Sequence, residues 1–256
     1  MKILITGAAS GIGYLLALTL AQRGHYVYLS CHTNKQKDVV NKKLNDKDNI
    51  KVIKLDITNS EDRKMALKLD ADVLINHAGI GLGGSIIEAK MNKVRENFEV
   101  NVFSSFELLQ EVLKQMINKD KGRIIIMSSL APNIIIPFFS IYSATKASIS
   151  IIVKTLQYEL LLINKNVKII LIEPGMYNTG FNEVILQSKY DEGKYFYNVK
   201  DKIYKYENLL KRLISKKDLS SIVIQIVRAV EDKIPKKTYK APLLQSMIAK
   251  ISKVFK

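Results

Sequence analysis

The chain has 256 residues, 40 Lys or Arg against 24 Asp or Glu, a formal charge of +16 and a pI near 9.6. That length suits one well-buried domain. A single cysteine excludes an internal disulfide, three histidines without ligand spacing argue against a metal site, and no run of about 20 apolar residues is present to span a bilayer.

Met1 and Lys2 alone precede the first expected strand, which leaves no room for a signal peptide, and a cytoplasmic location is expected. Ile3-Leu4-Ile5 reads as a buried strand and Leu15 to Ala21 as an amphipathic helix. Between them stands Thr6-Gly7-Ala8-Ala9-Ser10-Gly11-Ile12-Gly13. A glycine-rich turn between strand and helix is the setting that holds a dinucleotide. Gly7 permits the turn, Gly11 lets the backbone approach a pyrophosphate, and Gly13 lets the helix pack closely on the strand. The phosphates then sit at the positive end of the helix.

The second expected strand, His25 to Ser30, runs into Cys31-His32-Thr33-Asn34-Lys35. An acid here would hold the ribose 2′-hydroxyl of NAD and repel a 2′-phosphate, and none occurs before Asp38. Ser30, His32, Thr33, Asn34 and Lys35 instead offer donors and positive charge, which favours NADP over NAD.

Lys51 to Leu55, Val73-Leu74-Ile75, Ile124 to Met127 and Val167 to Ile172 read as further strands, apolar as in a parallel sheet covered on both faces. Helical patterns lie between them, notably Lys93 to Ile117 and Ser143 to Ile163. The alternation implies an α/β fold, a doubly wound parallel sheet in a single domain over residues 1–256. The two long helices carry more apolar residues than one core-facing stripe needs: Val102, Phe103, Phe106, Leu108 and Leu109 in one, Ile149, Ile151, Ile152 and Val153 in the other.

Tyr142 and Lys146 are four apart, so a helix brings them to one face. A free tyrosine titrates near 10, too high for acid/base work at neutral pH, and a nearby ammonium is expected to pull that value down. Ser129 can donate to an oxygen on which charge develops. Such a trio moves a proton to or from a carbonyl.

These motifs together resemble the short-chain dehydrogenase/reductase family, over nearly the whole chain to about Phe181. The family's glycine motif is similar to Thr6–Gly13, and its adenine-contacting Asp to Asp56 in Leu55-Asp56-Ile57-Thr58. Its Asn-Asn-Ala-Gly matches Asn76-His77-Ala78-Gly79, with His77, read as a hydrogen-bonding substitute, in place of the second Asn. Its helix asparagine matches Asn101, its serine motif Ile126-Met127-Ser128-Ser129, and its Pro-Gly-x-x-x-Thr matches Pro174 to Thr179.

The resemblance implies a Rossmann fold. The expected cofactor contacts are Thr6, Gly7, Ser10, Gly11, Ile12, Gly13, His32, Thr33, Asn34, Asp56, Ile57, Asn76, Ala78, Gly79, Pro174, Gly175 and Thr179, with Tyr142 and Lys146. It implies Tyr142 as general acid, Lys146 as the group that lowers its pKa and holds the nicotinamide ribose, and Ser129 as the group that orients the carbonyl. Asn101 would fix a water that links Lys146 to solvent. Thr179 would hold the carboxamide. The two long helices would pair in a homodimer or homotetramer. The family's frequent Arg before the second glycine is absent, since Ser10 stands there, so an NAD-linked alcohol dehydrogenase of the same fold stays open.

Residues 181–217 fall where the family places its variable substrate loop. Phe181, Tyr190, Tyr195, Phe196, Tyr197, Tyr204 and Tyr206, with Leu82, Leu130, Ile135, Phe138 and Phe139, imply an apolar pocket for a hydrophobic ketone or alcohol. From Gln187 onward stand 17 basic against 7 acidic residues, ten of the sixteen excess charges. This excess reads as a solvated face, or as attraction to an anionic cofactor or an anionic membrane surface. A nucleotide-sensing or nucleic-acid-binding protein on this scaffold is the non-enzyme reading, but no base-reading module accompanies the charge. In 242–256, Leu244, Met247, Ile248, Ile251, Val254 and Phe255 share one helical face, with Lys250, Lys253 and Lys256 off it. Such a helix can lie in a membrane interface, and it can equally pack on the enzyme's own pocket or on a partner subunit.

Overall fold

The computed structural model describes residues 1–44, 47–163, 165–181, 185, 194–199, 201–205, 208 and 215–254. One sheet of seven parallel strands runs through the molecule in the order β3-β2-β1-β4-β5-β6-β7. The strands are β1 Lys2–Ile5, β2 Tyr26–Cys31, β3 Ile50–Lys54, β4 Val73–Asn76, β5 Gly122–Met127, β6 Val167–Pro174 and β7 Thr238–Ala241. Among the described residues the α-helices are α1 Gly11–Gln22, α2 Asn34–Leu44, α3 Ser60–Leu67, α4 Met91–Phe98, α5 Ser105–Asn118, α6 Ser140–Leu162, α7 Ser220–Glu231 and α8 Leu243–Val254. This is the doubly wound α/β sheet that the alternation of patterns implied.

Side chains alternate across the sheet, so each strand feeds two cores. Ile3, Ile5, Val27 and Leu29 meet Leu16 and Leu20 of α1 and Ile222 and Ile226 of α7 on one face. Leu4, Leu74, Ile124, Ile126 and Leu171 meet Leu108 and Val112 of α5 and Ile149 and Val153 of α6 on the other. Each such fully buried side chain contributes about 1.5–3 kcal/mol. Covering both faces explains why β4 and β5 read as apolar runs rather than alternating ones.

Strand order reverses between β1 and β4. The loops leaving their carboxyl ends turn to opposite faces of the sheet, and a crevice opens between them. The expected single helix from Lys93 to Ile117 is interrupted. Glu99–Ser104 forms a π-helical turn between α4 and α5, and Asn101 within it is 2% exposed. The widened turn rotates that asparagine into the crevice wall.

Candidate active site

The glycine motif crosses from β1 to α1 at the crevice floor. Gly7 has φ +64, and a Cβ there would lie 2.7 Å from Ala78 Cα. A Cβ on Gly13 would lie 2.9 Å from Ala8 Cα and 3.1 Å from the His77 ring, so helix, turn and the β4 loop close only without side chains. Thr6 Oγ1 accepts from the backbone N–H groups of His77 and Ala78, each at 2.9 Å. The Thr6 hydroxyl, expected to touch a cofactor, clips the β1 and β4 loops together. Ser10 caps α1 without a side-chain bond, and the first turn carries no acid. The first-turn amides are therefore left uncapped for an anion, and Thr179 stands 3.3 Å from a Cβ placed on Gly11. Glycine cradle and uncapped helix start fit the pyrophosphate of a dinucleotide.

The carboxyl end of β2 departs from expectation in detail. Ser30, expected to meet a phosphate, is fully buried and accepts from Gly7 N at 3.1 Å. Thr33 Oγ1 accepts from Gln36 N, so it caps α2. His32 is exposed, and its Nε2 lies 3.2 Å from Asp56 Oδ2, while Asp56 Oδ1 accepts from Thr58 N and Oγ1. Burial works against the Asp56 carboxylate, yet the Thr58 bonds and His32 hold its pKa below the usual value. Cys31, which stands where an acid would select NAD, is a buried thiol pushed up to about 11 by desolvation, and it stays neutral. Asn34 and Lys35 are exposed beside His32. Ile57, expected at the cofactor, packs into the core with Leu55 and Ala66.

Ser129, Tyr142 and Lys146 come together from the end of β5 and the first two turns of α6, exposed by 9%, 9% and 6%. Ser129 is the serine on the crevice side, near the Tyr142 hydroxyl: its Oγ donates to Pro174 O at 3.5 Å and accepts from Ala131 N at 3.0 Å. Ser128 turns the other way, donating to Lys146 O and pairing with Ser150 Oγ at 2.6 Å. The expected depression of the tyrosine is not what this packing gives. Desolvation pushes Tyr142 up to about 12, with the nearby Ser129 hydroxyl opposing it. Lys146 Nζ is aimed at Met127 O at 3.0 Å, 5.9 Å from the Tyr142 ring centroid, and burial pushes Lys146 itself down to about 8. Two desolvated groups each resist charge, and burial outweighs their attraction.

Asn101 is held at both ends of its amide. Its Oδ1 accepts from Ile80 N at 2.8 Å, and its Nδ2 donates to Ile80 O at 2.8 Å and to Thr145 Oγ1 at 3.1 Å. It thereby braces the β4 loop against α6. Asn76 ties β4 to both sides: its Nδ2 donates to Ser105 Oγ and O of α5 at 2.9 and 3.1 Å, and its Oδ1 accepts from Thr6 Oγ1 at the end of β1 at 3.4 Å. Behind the glycine motif, His77 Nδ1 is sealed from solvent with no hydrogen-bond partner among the described residues. Desolvation and the Lys146 charge push the imidazole down to about 4, against the pull of the Gly7 and Thr6 backbone.

Beside Tyr142 an apolar wall is assembled from Phe139 and Ile185, with Ile136 and Phe181 against it. The Tyr142 and Phe181 rings lie 5.6 Å apart, and Phe138, at φ +67, meets Phe196 edge-on at 5.2 Å. Of the other expected wall residues, Leu130 is buried, Ile135, Tyr195, Tyr197 and Tyr204 are exposed, and Tyr190 and Tyr206 lie outside the described residues. Pro174 closes this end through its carbonyl, which accepts from Leu130 N. Sequence reasoning missed Ile185, Thr145 and Gln245, whose Oε1 accepts from Met176 N at 2.6 Å. Local patterns give no signal for partners 44 or 69 positions away.

A family model described as short chain dehydrogenase matches residues 1–189. Over 187 residues the chain is 32% identical to a 3-ketodihydrosphingosine reductase of Bacteroides thetaiotaomicron, a match spanning 71% of this chain and 65% of that protein. A Burkholderia phymatum short-chain dehydrogenase/reductase solved with NAD superposes with a TM-score of 0.82 at 19% identity, covering 97% of this chain and 91% of the other. A Burkholderia cenocepacia short-chain dehydrogenase solved with NADP gives 0.72 at 21%, with the same coverage.

Proposed function

The chain belongs to the short-chain dehydrogenase family, and from that premise we propose that it is an NADP-dependent reductase of hydrophobic ketones that works as a homo-oligomer. The observation that carries this reading is the buried Ser129–Tyr142–Lys146 cluster, set between a dinucleotide cradle and an apolar wall. At neutral pH burial keeps the Tyr142 phenol protonated, the state a general acid needs for reduction. A bound reduced nicotinamide supplies the hydride for the carbonyl carbon. Tyr142 gives its proton to the carbonyl oxygen while the Ser129 hydroxyl donates to the same oxygen, and a secondary alcohol results. Lys146, held beside the ring by Met127 O, stabilises the phenolate left behind, and loses its charge above about pH 8. Asn101 keeps Ile80 and α6 in register around the reacting groups.

NADP is favoured by the neutral Cys31 where an acid would repel a 2′-phosphate, and by the donors of His32, Asn34 and Lys35. The Asp56 carboxylate beside His32 works the other way, and the same fold has been solved with either nucleotide. The Bacteroides relative is named for reducing a ketone on a long aliphatic chain, in keeping with the Phe139, Phe181 and Ile185 wall.

The test is fluorescence titration with NADPH and NADH, then NADPH oxidation against ketones of increasing chain length. NADPH is expected to bind more tightly and long-chain ketones to turn over. Tyr142→Phe is expected to lower turnover by about 10²–10⁴-fold with NADPH binding retained. Normal turnover in that variant, or binding of neither nucleotide, overturns the assignment.

A further inference from the structure

Helix α8 is packed with its apolar face outward. Among its described side chains Gln245 and Ala249 are the buried ones, 5% and 3% exposed, and Gln245 fastens it to Met176. Leu243, Leu244, Met247, Ile248 and Ile251 are 76%, 67%, 53%, 42% and 56% exposed. At 100° per residue these five cover an arc of about 140°, centred roughly opposite the line of Gln245 and Ala249. A helix whose apolar stripe had merely to complete the fold would turn it inward. A contiguous apolar surface of this kind marks a binding face.

Basic residues frame the arc. Lys250 is exposed at its edge and Lys253 and Lys256 follow in the sequence, whereas Lys240 of β7 is already paired with the buried Glu173 at 2.6 Å. The helix also touches the 3₁₀ turn Ala131–Asn133, which leaves the β5 end just after Ser129, while Met176 follows the β6 end. The outward face and the candidate active site thus share one end of the molecule.

We propose that this face lies on an anionic membrane surface, where α8 acts as an interfacial helix and seats the crevice at the lipid boundary. The charge decides between lipid and a second copy of the chain. A two-fold contact through this face would set Lys250 against its own counterpart in a protein of +16, whereas anionic headgroups neutralise it. Large apolar side chains beside lysines match the depth profile of a bilayer surface.

The experiment is co-sedimentation of the full-length protein with vesicles of phosphatidylcholine alone, or of equal parts phosphatidylcholine and phosphatidylglycerol, at low and high salt. Binding to the mixed vesicles that weakens with salt is expected, with little binding to phosphatidylcholine. Leu244→Asp with Ile248→Asp should cut the bound fraction by roughly tenfold or more. Ile234→Asp, at an isoleucine 92% exposed outside α8, should leave it unchanged. Both positions of the double variant are exposed, so its circular dichroism and NADPH titration should match the parent. Absence of binding to the mixed vesicles, equal binding to both vesicle types, or undiminished binding of the double variant overturns the proposal. So does a lower oligomer mass of the double variant in lipid-free buffer, which would make the face a subunit contact. Partition is read without turnover, so its failure is distinct from failure of the reductase reading.

Discussion

Burial governs the chemistry of single side chains in this site more than neighbouring charge does. Tyr142 and Lys146 are both displaced towards their neutral forms, to about 12 and about 8, because each is desolvated before it meets the other. His77 is the sharpest case. Its folded pKa of about 4 lies below the unfolded value near 6.5, so below pH 6.5 the unfolded chain binds the extra proton. Stability from the neutral imidazole is therefore complete above about pH 6.5 and is lost as pH falls towards 4, a difference of about 3 kcal/mol. Urea denaturation of wild type and His77→Asn across that range should show the variant flatter by this amount, and parallel curves would contradict it. At the β2 end, His32→Asp adds an acid beside Asp56, where a 2′-phosphate is expected. The ratio of NADPH to NADH dissociation constants should shift about tenfold or more towards NADH, and an unchanged ratio would place the 2′-phosphate elsewhere.

At the scale of elements, helix α1 is both cofactor cradle and core. Leu16 and Leu20 are fully buried against Ile3, Ile5 and Leu29, which fixes the start of the helix under the glycine motif. Leu20→Ala should lower unfolding free energy by about 2–5 kcal/mol in denaturant titration, with the NADPH affinity of the folded fraction nearly unchanged because Leu20 is about two turns from the uncapped amides. The π-helical turn at Glu99–Ser104 shows the limit of periodicity. The pattern from Lys93 to Ile117 reads as one helix because an extra residue in one turn shifts the apolar phase too little to register. That turn nonetheless aims Asn101 at Ile80 and Thr145.

Across the whole molecule, exposed apolar surface separates what closes the fold from what remains for partners. Val102, Leu108, Leu109, Ile149 and Val153, five of the apolar residues beyond a single stripe, belong to the protein's own core, whereas Phe103 and Ile151 are 55% and 65% exposed. Those two are the surface on which self-association is proposed. Phe103→Glu with Ile151→Glu should reduce the mass seen by light scattering to that of the monomer, and an unchanged mass would move the subunit contact elsewhere. The sequence by itself determined the strand–helix alternation and the glycine motif, and it marked Ser129, Tyr142 and Lys146, since period, glycine placement and four-residue spacing are local properties of a chain. Tertiary structure alone decided that Ser30 braces Gly7 instead of meeting a phosphate and that Asp56 reaches His32. It alone decided that Tyr142 rises in pKa rather than falls, and that α8 turns its leucines outward. Those outcomes depend on which distant groups exclude water from one another, and desolvation has no signature in the order of residues.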